Sequence, residues 1–378
     1  MWPEAARAPG AADPLRICLL CVEIFAWGKY GGFGRATRMI GRELVKAGHT
    51  VTAIVPQRSG QAEEETLDAI RVLGYPERRP WTIRRLAKMA DAQVYHSCEP
   101  SLASYLARNA MPDRRHIVTV RDPRTLEDWR MELALPSVNR TQVAKNFLFE
   151  HNALVTRTVR RADAVYAAYQ DAIPKIQRIY ALTTPPAFLP TPVKIPEKVQ
   201  KDERPVVSFI SRLDRRKRPE LIIPLAQRFP QVDFLVAGTS RDHLWEARLL
   251  DDLNALPNIR TLGFIDQFRS PLHGEILGRS WVFLNTASRE GLPNSFIEAA
   301  AHGCAILSSN NPDGFASRFG YHAAEDDFVK GLEHLLDGYR WRALGEACRH
   351  YVSGTFASDL AMARHVEAYR AVLGGIKS

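Results

Sequence analysis

Two clusters in the second half of this chain hold side chains suited to gripping an anion. The apolar run 206–210 is followed by Ser211-Arg-Leu-Asp-Arg-Arg-Lys-Arg-Pro-Glu220. Arg212 leaves the end of an expected strand, and Lys217 follows five positions later, near an expected helix start. Two cations there suit a diphosphate, Arg212 through a planar fork of donors and Lys217 as a point charge. Arg215, Arg216 and Arg218 also make this loop a plain basic run, whose default is a solvated surface. The second cluster is Glu290-Gly-Leu-Pro-Asn-Ser-Phe-Ile-Glu298, after an expected strand at 281–285. Gly291 and Pro293 favour a tight turn, and Asn294 or Ser295 is expected to cap the helix that follows. A helix N-terminus offers unpaired N–H groups to an anion. Glu290 and Glu298 bracket the turn and can accept hydrogen bonds from sugar hydroxyls while the backbone holds phosphate. The bland alternative is a capped surface helix carrying two ordinary acids.

The first half holds Gly31-Gly-Phe-Gly34 between an expected strand and an expected helix. Glycines there permit close backbone approach to a phosphate or to an acceptor. A dinucleotide site is disfavoured: Thr37 stands where the third glycine of G-x-G-x-x-G belongs, and the second strand ends Val55-Pro-Gln57 without an acid for a ribose. His96, after an expected strand, is either a cleft residue or a satisfied core residue. No D-x-D and no His/Cys/Asp group with ligand spacing is present, so no metal site is expected. The five cysteines form no framework, which points to a reducing compartment. Cys18 and Cys21 fall three apart in an expected strand, on opposite faces, and read as inert core.

The elements that must position these residues alternate. Strands are expected at 16–25, 50–55, 93–97, 116–120 and 164–168, with helices at 35–47, 86–90, 102–108 and 155–161 between them. The pattern restarts with strands at 206–210, 233–237, 260–263, 281–285 and 305–309 and helices at 219–227, 241–253 and 295–302. Such alternation predicts an α/β protein with parallel sheets covered on both faces. Between the two runs, residues 182–205 carry six prolines, which deny ladder hydrogen bonds and mark a linker. The predicted division is a flexible tail at 1–14, a Rossmann-like domain at 15–185, a Pro-rich linker at 186–205 and a second Rossmann-like domain at 206–357. A C-terminal helix at 358–378, capped by Ser358, is expected to pack back across the domains. Ligands would bind in the cleft between the domains, at the carboxyl ends of strands.

Several of these segments together resemble the family 4 retaining glycosyltransferases of the GT-B fold. Arg212 and Lys217 match the family's Arg-x₄-Lys pair, and Glu290 and Glu298 match its E-x₇-E motif. Glu298-Ala-Ala-Ala-His-Gly303 is similar to its "EAMA-G" continuation, and Gly31–Gly34 and Gly48-His-Thr-Val-Thr52 fall where it has its glycine-rich loop and "GH-V" run. The resemblance implies that Arg212 and Lys217 bind the donor diphosphate and that Glu298 holds the ribose. It implies that Glu290 holds the transferred sugar, with Gly291, Leu292, Pro293, Asn294 and Ser295 lining sugar and phosphate and Ile265 near the base. Gly31, Gly32, Phe33 and Gly34 become the phosphate or acceptor loop, and His96 and Arg121 the acceptor side. The chain departs from the family at His96-Ser-Cys98 in place of a histidine pair, at Arg121-Asp122 in place of His-Asp, and at Thr191-Pro192 in place of Asn-Gly.

The resemblance thus implies a retaining, metal-independent hexosyltransferase that takes a nucleotide-diphosphate sugar, UDP-sugar first, as co-substrate, with no cofactor. The acceptor would be a sugar, a glycolipid or another small molecule. Rival readings are another GT-B enzyme (a phosphorylase or a nucleotide-sugar epimerase) and a non-catalytic nucleotide-sugar-binding partner. An apolar fraction of 46% and a charged fraction of 25% fit a soluble globular chain. The apolar run 17–26, broken by Glu23, is too short for a membrane span or a leader, so a cytoplasmic protein is expected. Of the net charge of +9, residues 1–190 hold 27 Lys and Arg against 19 acids, and the remainder hold 24 against 23. A nucleic-acid partner is not expected, because no recognition module or interleaved aromatics accompany the basic stretches. The run Arg78-Arg-Pro-Trp-Thr-Ile-Arg-Arg-Leu-Ala-Lys-Met89 reads as a sheet-packed helix with a wet basic face. Its functional alternative is peripheral contact with an anionic membrane inner face.

Overall fold

The computed structural model describes residues 13–137 and 139–375. Most of the expected tail and the last three residues of the chain lie outside them. One sheet has the order β3-β4-β2-β1-β5-β6-β7-β8. Its strands are β1 (Arg16–Leu20), β2 (Thr50–Pro56), β3 (Glu64–Leu67), β4 (Ile70–Tyr75), β5 (Val94–Ser97), β6 (Arg115–Val120), β7 (Ala164–Ala167) and β8 (Ala187–Phe188). Cys18 stands level with Thr52 on one side and Tyr95 on the other. The expected all-parallel sheet is corrected at its edge: β3 runs antiparallel to β4. Asp68 and Ala69 turn this hairpin with φ of 52° and 60°, a conformation usually advertised by Asn-Gly, which is absent here.

The chain divides into two compact units. Of the described residues, one unit comprises 13–118 with 162–164 and 369–375; the other comprises those within 119–161 and 165–368. In the first unit, α1 (Gly32–Lys46), α2 (Ile83–Ala90) and α3 (Leu102–Ala110) cover the strands. Helix α1 buries Ala36, Ile40 and Leu44, four apart on one stripe. It begins at Gly32 rather than at the expected 35, so Gly32, Phe33 and Gly34 form its first turn. Cys18, Cys21 and Cys98 are buried free thiols, and burial pushes the Cys18 and Cys21 thiols well above their usual range.

The second unit contains α4 (Leu126–Ala134), α5 (Arg140–Glu150), α6 (Ala153–Arg160) and α7 (Ala172–Tyr180). Its second sheet has the order β11-β10-β9-β12-β13-β14. These strands are β9 (Val206–Ile210), β10 (Asp233–Ala237), β11 (Ile259–Thr261), β12 (Val282–Asn285), β13 (Ala305–Ser308) and β14 (Gly320–His322). Their neighbours run parallel. The helices of this region are α8 (Ile222–Arg228), α9 (His243–Asn254), α10 (Leu272–Arg279), α11 (Asn294–Ala301), α12 (Phe315–Phe319), α13 (Phe328–Leu336), α14 (Arg340–Thr355) and α15 (Ser358–Leu373). Strand alternation splits the core: Val207, Phe209, Phe234, Val236, Val282 and Leu284 pack in one layer, while Phe283 and Ile306 pack in another with Phe296 and Phe315. A parallel sheet buried on both faces demands such apolar runs. The Pro-rich stretch lies on this unit: the Val193 N–H donates to the Phe356 carbonyl at 2.8 Å, and the Ser358 N–H to the Val193 carbonyl at 3.0 Å.

Candidate functional site

The strand order of the second sheet reverses between β9 and β12: β10 and β11 extend to one side, β13 and β14 to the other. Such a switch point leaves the loops at the carboxyl ends of the two central strands free to line a site. The loop after β9 carries Arg212 and Lys217, and the loop after β12 carries Glu290 to Pro293.

Asp214 builds the first loop. Its carboxylate accepts from the backbone N–H of Arg216 at 3.1 Å and of Lys217 at 3.2 Å, an Asx-type turn. Arg212 pairs with the same carboxylate at 3.1 Å and stays exposed. Gly238, at the end of β10, has φ of +145°, and a Cβ there would stand 1.7 Å from the Ser211 carbonyl oxygen. Glycine is therefore required for β10 to pass the start of this loop.

The loop after β12 is sewn to the first. The Ser288 N–H donates to the Arg216 carbonyl at 2.9 Å, and the Thr286 hydroxyl reaches the Lys217 carbonyl at 2.6 Å. Lys217 Nζ is ion-paired with Glu290, and both side chains are mostly buried. Glu290 is oriented further by Asn310, whose side-chain oxygen accepts from the Glu290 N–H at 3.0 Å, and by Asn285 at 3.5 Å. Arg216 and Arg218 are not the solvated run that composition predicts, whereas Arg215 is exposed. Arg216 meets Glu132 at 3.3 Å, Arg218 meets both oxygens of Asp326 at 2.5 and 2.7 Å, and Arg215 lies over the Trp245 ring at 4.6 Å.

Gly291, Leu292 and Pro293 lead into α11. A Cβ at Gly291 would stand 3.1 Å from the Arg121 carbonyl oxygen and 3.3 Å from the Tyr169 ring, so the turn packs closely against residue 121. The expected cap is corrected: Pro293 is the N-cap residue, and Asn294 and Ser295 lie inside the helix as its first two residues. Glu298, one turn in, lies 3.4 Å from His273 Nε2 on α10. Its carbonyl meets His302 Nδ1 at 2.8 Å; burial, partly offset by that bond, lowers the His302 pKa to about 4. Ile265 packs beside Ile276 and Leu235, next to the half-exposed Phe264.

Arg121 is buried and donates to the Thr191 hydroxyl at 2.6 Å. Its neighbour Asp122, together with Arg289, Asp128 and Glu132, forms a buried ionic cluster that sequence reading did not single out. These partners lie more than 150 residues apart for Arg289 with Asp122 and Asp128, so no local pattern could reveal them.

In the first unit, the glycine-rich segment meets a carboxylate rather than open space. The buried Glu23 accepts from the Gly34 N–H at 3.0 Å, and a Cβ at Gly31 would stand 2.1 Å from its Oε1. Of Gly31, Gly32, Phe33 and Gly34, the Gly34 N–H is thus engaged by an internal acid at the start of α1. His96 is fully buried, with Nδ1 2.9 Å from the Tyr369 hydroxyl.

Two family models match the chain: one described as glycosyl transferases group 1 over residues 192–337, and one described as a glycosyl transferase 4-like domain over residues 31–180. No curated protein sequence matches significantly. Among solved structures, sucrose-phosphate synthase from Thermosynechococcus elongatus is similar with a TM-score of 0.73 and 14% identity, over 95% of this chain and 100% of that one. Anabaena HepE in complex with UDP and glucose is similar with a TM-score of 0.70 and 13% identity, over 94% and 100%. The catalytic domain of starch synthase IV from Arabidopsis thaliana, bound to ADP and acarbose, is similar with a TM-score of 0.64 and 13% identity, over 95% and 99%. At these identities the likeness establishes the fold.

Proposed function

We propose, from the premise that this chain belongs to the family 4-like GT-B glycosyltransferases, that it moves a hexosyl group from a nucleotide-diphosphate sugar to a small sugar or glycolipid acceptor, with retention and without a metal ion. The observation that carries the reading is the meeting of Lys217 with Glu290 at the switch point of the second sheet, beside the N-terminus of α11. Arg212, Lys217 and the first N–H groups of α11 take the diphosphate. Glu290 takes hydroxyls of the transferred sugar, and Glu298 takes the ribose. In transfer, the bond between the sugar C1 and the leaving phosphate oxygen breaks. The acceptor oxygen bonds C1 on the same face, and its proton passes to that phosphate oxygen. The cations and helix N–H groups stabilise the charge that grows on the diphosphate.

UDP is the first choice of nucleotide, supported by the UDP held by the Anabaena relative; ADP, held by the starch synthase, is second. A thermal-shift panel of UDP-, GDP- and ADP-glucose tests the reading. A donor at 100 times its dissociation constant adds about 2.7 kcal/mol of stability, and a chain that none of the three stabilises is not a donor binder. Transfer should persist in EDTA; loss restored by Mg²⁺ or Mn²⁺ refutes metal independence.

A cytoplasmic enzyme working at the inner face of a membrane is the corresponding proposal for location. Among the described residues no helix is long and apolar enough to cross a membrane. Arg78, Arg79, Arg84 and Lys88 are exposed along α2 and the turn before it, with Trp81 59% exposed. Arg85 meets Glu63 at 3.8 Å, which weakens the patch. Salt-sensitive sedimentation with anionic vesicles, reduced by replacing these arginines with Gln, is the expected result.

A further inference from the structure

We propose that residues 122–132 form an ionic anchor that sets the positions of Lys217 and Glu290, with Arg216 and Arg289 as the positioning residues. The inference rests on the donor reading above and deepens it.

Arg289 is 10% exposed and surrounded by acids. Its guanidinium donates to both oxygens of Asp122, at 3.1 and 2.7 Å, to Asp128 at 2.8 Å and to the Pro123 carbonyl at 3.3 Å. Asp128 also receives Lys175 at 2.7 Å, and its carboxylate closes the capping box of α4 with Thr125. Glu132, buried on the next turn of α4, receives Arg216 and lies 3.3 Å from Arg124. Arg124 in turn holds Asp122 at 3.1 Å and Glu150 at 3.0 Å. The cations Arg124, Lys175, Arg216 and Arg289 thus match the carboxylates Asp122, Asp128, Glu132 and Glu150 in number. Burying unpaired charge costs several kcal/mol per ion, so a cluster this enclosed holds only when paired.

Its two arms end beside the proposed donor residues. Arg216 precedes Lys217 and Arg289 precedes Glu290, and consecutive Cα atoms are fixed about 3.8 Å apart. A shift of either arginine therefore moves the neighbouring functional side chain. Apolar side chains of equal volume would fill the same space at no loss of stability. What they lack is direction: the forked bonds of Arg289 admit one orientation of the loop after β12. The hydrogen bonds from Ser288 and Thr286 transmit that orientation to the loop after β9.

The test uses the full chain and the variants Arg289→Met, Arg289→Lys and Glu132→Gln, beside Lys217→Ala. Amide hydrogen exchange is read without nucleotide, and affinity for UDP by calorimetry. Arg289→Met and Glu132→Gln should speed exchange in residues 214–218 and 287–293 at least tenfold and leave the core amides of β9 and β12 unchanged. Glu132→Gln should weaken UDP at least fivefold. Arg289→Lys, which keeps charge but not the fork, should recover part of the protection lost in Arg289→Met. If Arg289→Met does not fold, Arg289→Lys and Glu132→Gln carry the same comparison. Unchanged exchange in the two loops, or an equal rise throughout the second unit, overturns the anchor. Loss of UDP in Lys217→Ala with the Glu132 variant at wild-type affinity also overturns it, and leaves the donor reading standing. Loosened loops with UDP indifferent to Lys217→Ala uphold the anchor and overturn the donor reading.

Discussion

Lys217→Ala and Glu290→Gln should move nucleotide affinity in opposite directions. Lys217 and Glu290 hold each other, with each side chain 16% exposed. A charge-assisted hydrogen bond contributes about 1.5–3 kcal/mol, so losing the Lys217 contact to a diphosphate should raise the dissociation constant of UDP by about 10- to 100-fold. To reach a diphosphate, Lys217 must also exchange Glu290 for it. An ion pair that keeps some solvent contact is worth about 1 kcal/mol at most. Glu290→Gln removes that competitor together with one negative charge, so UDP should bind about fivefold tighter while turnover falls. Uridine, which lacks phosphate, should bind both variants as it binds the wild type. Calorimetry with UDP and uridine at low and high salt reads all of these, and the Lys217 effect should shrink as salt screens it. Weakening of UDP by Glu290→Gln, or equal loss of uridine and UDP in Lys217→Ala, refutes the reasoning.

Burial raises the Asp128 pKa, but the Lys175 hydrogen bond, the Thr125 N–H and Arg289 outweigh it and bring it from 3.8 to about 2. A depressed folded pKa contributes stability above the unfolded value that disappears as pH falls through the folded one. Asp128→Asn should therefore cost about 1–2 kcal/mol at pH 7 after allowance for screening, shrinking between pH 4 and 2; urea midpoints across that range check it, and a constant difference contradicts it. Gly238→Ala forces a Cβ into the Ser211 carbonyl at a φ of +145° and should cost about 3 kcal/mol or more, read as a fall in Tm. Glu23→Ala strips the acceptor from the buried Gly34 N–H and should cost about 2 kcal/mol; an unchanged Tm would show that this bond contributes nothing.

Local pattern determined much of this protein. Mostly apolar five-residue segments, one preceded by Pro205 and the other followed by Gly238, place β9 and β10 at 206–210 and 233–237 to the residue. Glycine and proline before an alanine-rich run place the turn into α11 and bring Glu290 and Glu298 to its two sides, because a turn and one helical turn depend only on neighbours along the chain. Strand order could not be read that way. Lys217 and Glu290 meet because β12 pairs with β9, with Val207 level with Val282, so loops 73 residues apart leave the sheet side by side. The hairpin of β3 and β4 escaped notice because its turn uses Asp68 and Ala69 without a glycine. The contact of the glycine-rich segment with Glu23, eleven residues before Gly34, could not be read from the pattern because it forms only once the chain has bent back on itself. His96 meets Tyr369, 273 residues away, a pairing that no local pattern shows. Arg216 and Arg218 looked solvated because their acids lie on α4 and after β14. A residue's type and spacing name the chemistry it can do, but its partner is set by which strands and helices come to lie together, and that is fixed by burial of the whole apolar core rather than by any one segment.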